Sequence, residues 1–108
     1  MKRYEMVKRH DDFNLIIGKN NKIKSHYFIL FSMEKDEVKP HFGIAVGKKI
    51  GNAVIRNKMK RRVRNIIDSN KLLFKKYHNY IIMVKKESVG LPYDLLENDL
   101  VSLLRKDH

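Results

Sequence analysis

The run from residue 48 to residue 64 limits the possible folds of this chain more than any other segment, because it is rich in Lys and Arg and contains no acidic residue. Gly51 interrupts the strand-like pattern before it, and Asn52 is a good N-cap. Apolar residues then recur at i, i+4, i+8, i+11 and i+12, the spacing of one helix face: Ile55, Met59, Val63, Ile66 and Ile67. The sequence therefore predicts an amphipathic helix that ends near residues 69–70 and buries one apolar stripe.

The polar side of this helix is unusual because its charges have one sign. At 100° per residue, the side opposite the stripe carries Asn57, Arg61 and Arg64. The flanks of that side carry Lys58 and Lys60, and the margin of the core carries Arg56 and Arg62. Surface helices usually mix both signs, since opposite charges four positions apart stabilise each other. A merely solvated helix remains the alternative, but the pattern favours a surface that binds an acidic partner.

The charge of the whole chain indicates the kind of partner. Twenty-four Lys and Arg residues oppose 12 Asp and Glu residues, which gives a net charge of +12 in 108 residues. Nucleic acid is the first candidate, because its phosphates are dense and binding releases counterions. An anionic membrane surface is the second, but the apolar stripe carries Ile, Val and Met rather than bulky aromatic residues. Nucleic acid is therefore the predicted partner.

Other function classes have little support in the sequence. The chain has no cysteine, which excludes disulfides and cysteine metal sites, and its five histidines are scattered, so no metal site is predicted. It has no Ser/His/Asp set, P-loop or HExxH motif, and no catalytic residue is predicted. About 18 consecutive apolar residues, the minimum for a transmembrane helix, occur nowhere, so we expect a cytoplasmic protein with no membrane partner.

Two further helices are predicted at the ends of the chain. In the segment DDFNLIIGKN, Phe13, Ile16 and Ile17 have the i, i+3, i+4 spacing of a short helix. The last helix, within residues 91–106, has Pro92 near its start and a stripe of leucines.

Three segments are predicted as strands: residues 23–35, 41–49 and 78–86. In the first, side chains would alternate between two apolar faces, with Tyr27, Ile29, Phe31 and Met33 on one and Phe28 and Leu30 on the other. The short polar connection between the first two strands suggests an antiparallel hairpin. The order α-β-β-α-β-α predicts one α+β domain over residues 1–108, a two-layer sandwich of helices on a small mixed sheet.

The aromatic residues of the first helix and first strand suggest a second binding surface. Phe13, Tyr27 and Phe31 would form a platform on which unpaired bases stack, with Lys85 and Lys86 beside it. Packing of the same rings in the core is the competing interpretation, and the spacing alone favours it.

The run KKIGNAVIRNKMKRRVRNIID closely resembles the signature of the bacterial ribonuclease P protein subunit, whose core includes a lysine pair, GNAV and the RNR motif on a long helix. The similarity extends over nearly the whole chain in element order. It includes DDF in a short first helix, a strand ending in VGKK, the strand IIMVKK and a leucine-rich last helix.

This resemblance implies a role for the chain. Members of the family assist a catalytic RNA, which uses magnesium ions to remove the 5′ leader from precursor tRNA. The protein subunit has no cofactor of its own and no obligate protein partner. The basic helix contacts the RNA, and a cleft between the first helix and one sheet face receives the single-stranded leader. The implied fold is like that of domain 2 of ribosomal protein S5, with a left-handed β-α-β crossover where general rules expect a right-handed one.

The resemblance and the helix and strand patterns together give two sets of predicted site residues. The RNA-binding set is Lys48, Lys49, Arg56, Asn57, Lys58, Lys60, Arg61, Arg62 and Arg64. The leader-cleft set is Phe13, Ile17, Tyr27, Phe31, Lys85 and Lys86. Ile17 stands where family members often have a second aromatic residue. Two alternatives stay open: another RNA-binding or ribosome-associated module without a nuclease role, and a nuclease that acts without RNA.

Overall fold

A computed structural model describes residues 6–7, 10–19 and 21–107, without the side chains of residues 10 and 11. In this part of the chain the helices are α1 (His10–Gly18), α2 (Ala53–Ser69) and α3 (Tyr93–Lys106). The strands are β1 (Lys22–Lys24), β2 (Phe28–Glu34), β3 (His41–Ala45) and β4 (His78–Val84). The three predicted helices and the mixed α+β architecture are therefore confirmed.

The strand order is β1-β2-β4-β3, and this order corrects the predicted hairpin. β2 and β3 follow each other in sequence but are not neighbours, since β4 lies between them. β4 pairs antiparallel with β2 and parallel with β3. The reason is burial: Tyr80, Ile81 and Ile82 are fully buried on the two faces of β4, so this strand takes a central position. Parallel strands need a long crossover, and α2 supplies it between β3 and β4.

The predicted first strand is in fact two strands, separated by a turn at residues 25–27. Ser25 closes the turn through its backbone N–H, which donates to the Phe28 carbonyl at 2.9 Å, while its Oγ accepts from the Phe28 N–H at 3.2 Å. Asp99 of α3 accepts a hydrogen bond from the same hydroxyl at 2.5 Å. Tyr27 therefore lies in the turn, and the alternation of side chains starts again at Phe28.

Both faces of the sheet are covered, so the molecule has a larger and a smaller apolar cluster. The larger cluster joins β2 and β4 to α2 and α3, and includes Phe28, Leu30, Tyr80, Ile82, Met59, Val63, Ile66, Ile67, Leu100 and Leu103. The smaller cluster, beneath α1, has Ile16, Phe31 and Ile81 as its buried members. The predicted apolar stripe of α2 is confirmed, with Ile55 only partly buried at its edge.

The start of α2 depends on Asn52, as predicted. Its side-chain oxygen accepts a hydrogen bond from the Ile55 N–H at 3.0 Å, which satisfies a donor that the helix itself leaves unpaired. We expect Asn52→Ala to lower the free energy of unfolding by about 1 kcal/mol. Asn65→Ala, at an exposed position inside the same helix, should not destabilise the protein, because alanine is the better helix former. Urea denaturation measures both, and an equal effect of the two variants would contradict the capping role.

Candidate nucleic-acid interface

α2 lies over the edge of the sheet, where it packs against β3 and α3. Its buried stripe faces the larger cluster, so its polar side faces solvent. Among the polar residues, Asn57, Lys58, Lys60 and Arg61 are exposed, and Arg56, Arg62 and Arg64 are half-buried. The predicted placement of these residues around α2 is confirmed except for Arg64, which lies closer to the core margin than the helical projection indicated.

The three half-buried arginines differ in what their side chains contact. Arg62 donates a hydrogen bond from Nη1 to the Leu91 carbonyl at 2.8 Å, so it ties the segment before α3 to α2. The Nε atoms of Arg56 and Arg64 are buried, and neither has a hydrogen-bond partner among the described residues. At 100° per residue, Arg56 and Arg64 flank Lys60 on the side of α2 away from Arg62. Arg62 therefore has a structural contact in addition to its predicted RNA contact.

The two predicted lysine pairs meet at one end of the sheet. Because β3 and β4 are parallel, with Ala45 opposite Met83, both strands finish at the same end. Lys48 and Lys49 follow β3 in a short 3-10 turn, and Lys85 and Lys86 follow β4. α2 also begins at this end, so the lysines adjoin its first turns.

A further lysine, which the sequence analysis did not predict as a site residue, lies at the same end. β1 is antiparallel to β2, and β2 to β4, so β1 also finishes there, at the exposed Lys24. We call this end of the sheet, with Lys24, Lys48, Lys49, Lys85 and Lys86, the lysine end. Lys85 turns inward, since its Nζ donates to the Ser25 carbonyl at 3.0 Å. No sequence signal pointed to Lys24, because its position depends on strand pairing.

The α1 face of the sheet is organised in rows of side chains that cross the strands, since paired residues share a face. One row runs from Gly43 through Ile81 and Phe31 to Lys22, and α1 covers its centre. Lys22 places its Nζ 5.7 Å from the centre of the Phe31 ring, a cation–π contact. Phe31 is only 4% exposed, so core packing is the correct interpretation for this ring.

The next row towards the lysine end borders the smaller cluster, which α1 covers. It consists of Ala45, Met83, Ile29 and Lys24, and its three apolar members are partly exposed. We call this row the groove floor, because the family resemblance predicts the leader cleft on this face. A single strand of nucleic acid needs apolar surface for its bases and cations for its phosphates, and both occur here.

The predicted cleft residues are only partly brought together. Phe13 and Ile17 of α1 are partly exposed and pack on the cluster that contains Phe31 and Ile81. Tyr27 does not join them, because it lies in the turn before β2 and packs against the larger cluster instead. The expected three-ring platform is therefore wrong: in this arrangement Phe13 alone of the three presents a partly exposed ring on the α1 face.

Neither a membrane-spanning helix nor a metal-binding cluster occurs among the described residues. Within residues 6–7, 10–19 and 21–107, each helix is too short or too polar to cross a lipid bilayer. The side chains described there include no group of three or more His, Cys, Asp or Glu residues able to hold a metal ion.

Known proteins share both the sequence and the fold. A family model described as Ribonuclease P matches residues 1–107. The ribonuclease P protein component of Mycoplasma mycoides subsp. mycoides is 36% identical over 107 residues, covering 98% of each chain. That of Streptococcus agalactiae is 32% identical over 105 residues, covering 97% of this chain and 95% of the relative.

A solved structure agrees with these matches. The RNase P protein from Thermotoga maritima superposes with a TM-score of 0.86 at 26% identity, covering 94% of this chain and 96% of that one. Because the family match, the relatives and the fold all extend over almost the whole sequence, the chain belongs to the bacterial ribonuclease P protein family, whose general role is tRNA processing as the protein component of an endoribonuclease.

Proposed function

We propose that this chain binds the ribonuclease P RNA through α2 and the lysine end, and binds the 5′ leader of precursor tRNA along the groove floor. The observation that carries the proposal is the placement of cations. The exposed side of α2 adjoins the lysine end, because the chain runs from β3 through Lys48 and Lys49 into α2, and together they make one basic region. Phosphates of two RNA segments would be neutralised on the two sides of this region.

The leader is assigned to the α1 face because that face combines apolar and cationic groups. Bases would contact Ile29, Met83 and the edge of Phe13, while Lys24 and Lys86 meet phosphates. Ile17 would contribute packing instead of a stacked ring. Such contacts vary little with base identity, so the groove would hold many leader sequences.

The proposed mechanism gives the protein a binding role and leaves bond cleavage to the RNA subunit and its magnesium ions. Contacts to the leader are absent in the mature product, so they would raise affinity for precursor over mature tRNA. Cations on α2 would also reduce repulsion between RNA segments, which helps the RNA fold and hold magnesium at low concentration.

The proposal is tested by reconstituting the full chain with a bacterial ribonuclease P RNA. Cleavage and binding of precursor tRNA, with and without its leader, are measured at low magnesium. We expect faster cleavage with the protein than with RNA alone, tighter binding only when the leader is present, and no cleavage by the protein alone. Protein stimulation without a leader effect would favour a general RNA-binding module, and cleavage without RNA would favour a protein nuclease.

Lys24 gives a sharper test of the groove floor. We expect Lys24→Ala to weaken binding of leader-bearing tRNA by about two- to fivefold, the range for one exposed ion pair. Binding of tRNA without a leader should not change. Lys76→Ala is the matched control, because Lys76 is also exposed but precedes β4, at the opposite end of the sheet. Equal losses for both variants would show that total charge matters and the groove does not.

A further inference from the structure

A small pocket lies between the first half of α2 and the turn that leads into α3. Its volume is about 230 Å³, and it is lined by Ile55, Lys58, Met59, Arg62, Val89, Gly90 and Leu91. Sites for drug-sized ligands usually measure about 300–1,000 Å³, so this pocket suits a single ring system with its substituents. Neither the groove floor nor the α1 face contributes to it.

The turn that forms one wall of this pocket is held in place at both ends. Ser88, which is fully buried, donates a hydrogen bond from Oγ to the Lys85 carbonyl at 2.6 Å. Arg62 donates to the Leu91 carbonyl from the opposite wall at 2.8 Å. Between them, Gly90 has a φ of +81°, a conformation that side chains rarely adopt. The walls are therefore positioned by specific contacts and by a glycine-dependent turn.

The lining combines an apolar wall with positive charge. The apolar surface is supplied by Ile55, Met59, Val89 and Leu91. Val89 is 37% exposed, although its side chain is apolar. Lys58 is exposed at the rim. Arg62 has five N–H donors, and one of them, on Nη1, donates to the Leu91 carbonyl. All charged residues of the lining are positive, so the pocket favours a flat group that is joined to an anion.

We propose that this pocket receives one unpaired nucleotide of the ribonuclease P RNA subunit. Its base would lie against Met59 and Val89, and its phosphate would meet Lys58. The inference rests on the proposed function, because it requires α2 to bind that RNA. Lys58 belongs to both the basic side of α2 and the pocket rim, so RNA held on α2 passes the pocket entrance. This nucleotide would fix the register of α2 along the RNA, which charge contacts alone do not specify.

The test is chemical footprinting of the reconstituted protein–RNA complex. Base-specific reagents report on unpaired bases, and hydroxyl radicals report on the backbone. We expect the natural protein to protect at least one unpaired base, and Val89→Trp to restore that base's reactivity by filling the pocket. The same variant should weaken RNA binding roughly tenfold, within the range for loss of one bound base, and leave backbone protection by α2 in place. Leu72→Trp is the control, because Leu72 is fully exposed and outside the pocket.

A second pair of variants keeps the test valid if the added indole disturbs folding. Lys58→Ala should release the same base, whereas Lys60→Ala, two positions along the same helix, should weaken binding but leave that base protected. If neither Val89→Trp nor Lys58→Ala releases a base while backbone protection persists, the pocket inference is overturned. If the natural protein protects no part of the RNA, the proposed function fails, and that result is distinct from the first.

Discussion

Replacing Arg61 and Arg64 together by alanine should weaken binding to the ribonuclease P RNA by about 100-fold, with the fold unchanged. Each lost arginine–phosphate contact should cost about 1.4 kcal/mol, which is a factor of ten in the binding constant. Alanine favours helix formation, which offsets part of the packing lost with the half-buried Arg64 stem, so the free energy of unfolding should stay within about 1 kcal/mol of that of the natural protein. Filter binding at low salt and urea denaturation measure the two quantities.

Salt dependence provides a second readout for the same variant. If about six phosphates are neutralised, the logarithm of the binding constant should fall with the logarithm of salt concentration at a slope of about −4 to −5. The double variant should reduce that slope by about two. A flat response of the natural protein would contradict the electrostatic account.

The matched control removes the same charge elsewhere. Arg105 and Lys106 are both exposed in the last turn of α3, outside the proposed interface. Their double alanine variant lowers the net charge equally, and we expect its affinity to fall less than about threefold. If both double variants lose affinity alike, the total charge of the protein determines binding and the position of α2 does not.

Gly43→Val should lower the free energy of unfolding by about 1–3 kcal/mol, the usual cost of overpacking. Gly43 lies on β3 beneath α1, where an added Cβ would come 2.5 Å from Ile81 Cδ1 and 3.0 Å from Phe13 Cε2. Ile81 is fully buried and cannot move far, so α1 would be pushed from the sheet. Urea denaturation measures the stability change.

This variant also separates the two proposed binding surfaces. Movement of α1 should weaken leader-dependent binding, while affinity for the RNA subunit should be kept because α2 lies on the other face of the sheet. Gly47→Val is the control, since a Cβ there has no atom within 4 Å and its φ of −70° suits any residue. If Gly43→Val were as stable as the control, the packing between β3 and α1 would be loose, and the groove would have no fixed wall.

Much of α2 was predictable because its determinants are local. The spacing of Ile55, Met59, Val63, Ile66 and Ile67 defines the buried stripe, and Asn52 marks the start. The positive outer side follows from the same helical projection. The family resemblance added the RNA partner, which the matching relatives support, and the cleft on the α1 face, which stays a proposal.

The sheet was predicted less well because strand pairing is not local. A polar connection between two strand-like segments suggests a hairpin, yet β4 displaced β3 from β2 because its apolar residues are buried on both faces. The turn at Ser25 likewise has a distant partner, because Asp99, 74 positions away, accepts a hydrogen bond from the Ser25 hydroxyl. Because Tyr27 lies in that turn, its side chain does not share a sheet face with Ile29 and Phe31, although the alternation of side chains had predicted that it would.

A basic amphipathic helix, an α+β domain and the expectation of an acidic partner could be read from the sequence, since they depend on composition and on spacing within single elements. The fold as a whole brings the lysines after β3 and β4 together with Lys24 at one end of the sheet, and it buries Phe31 beneath α1. It also forms a pocket between α2 and the turn before α3. These features depend on which strands pair and in which direction, because residues distant in sequence become neighbours only when burial of the apolar faces selects the strand order.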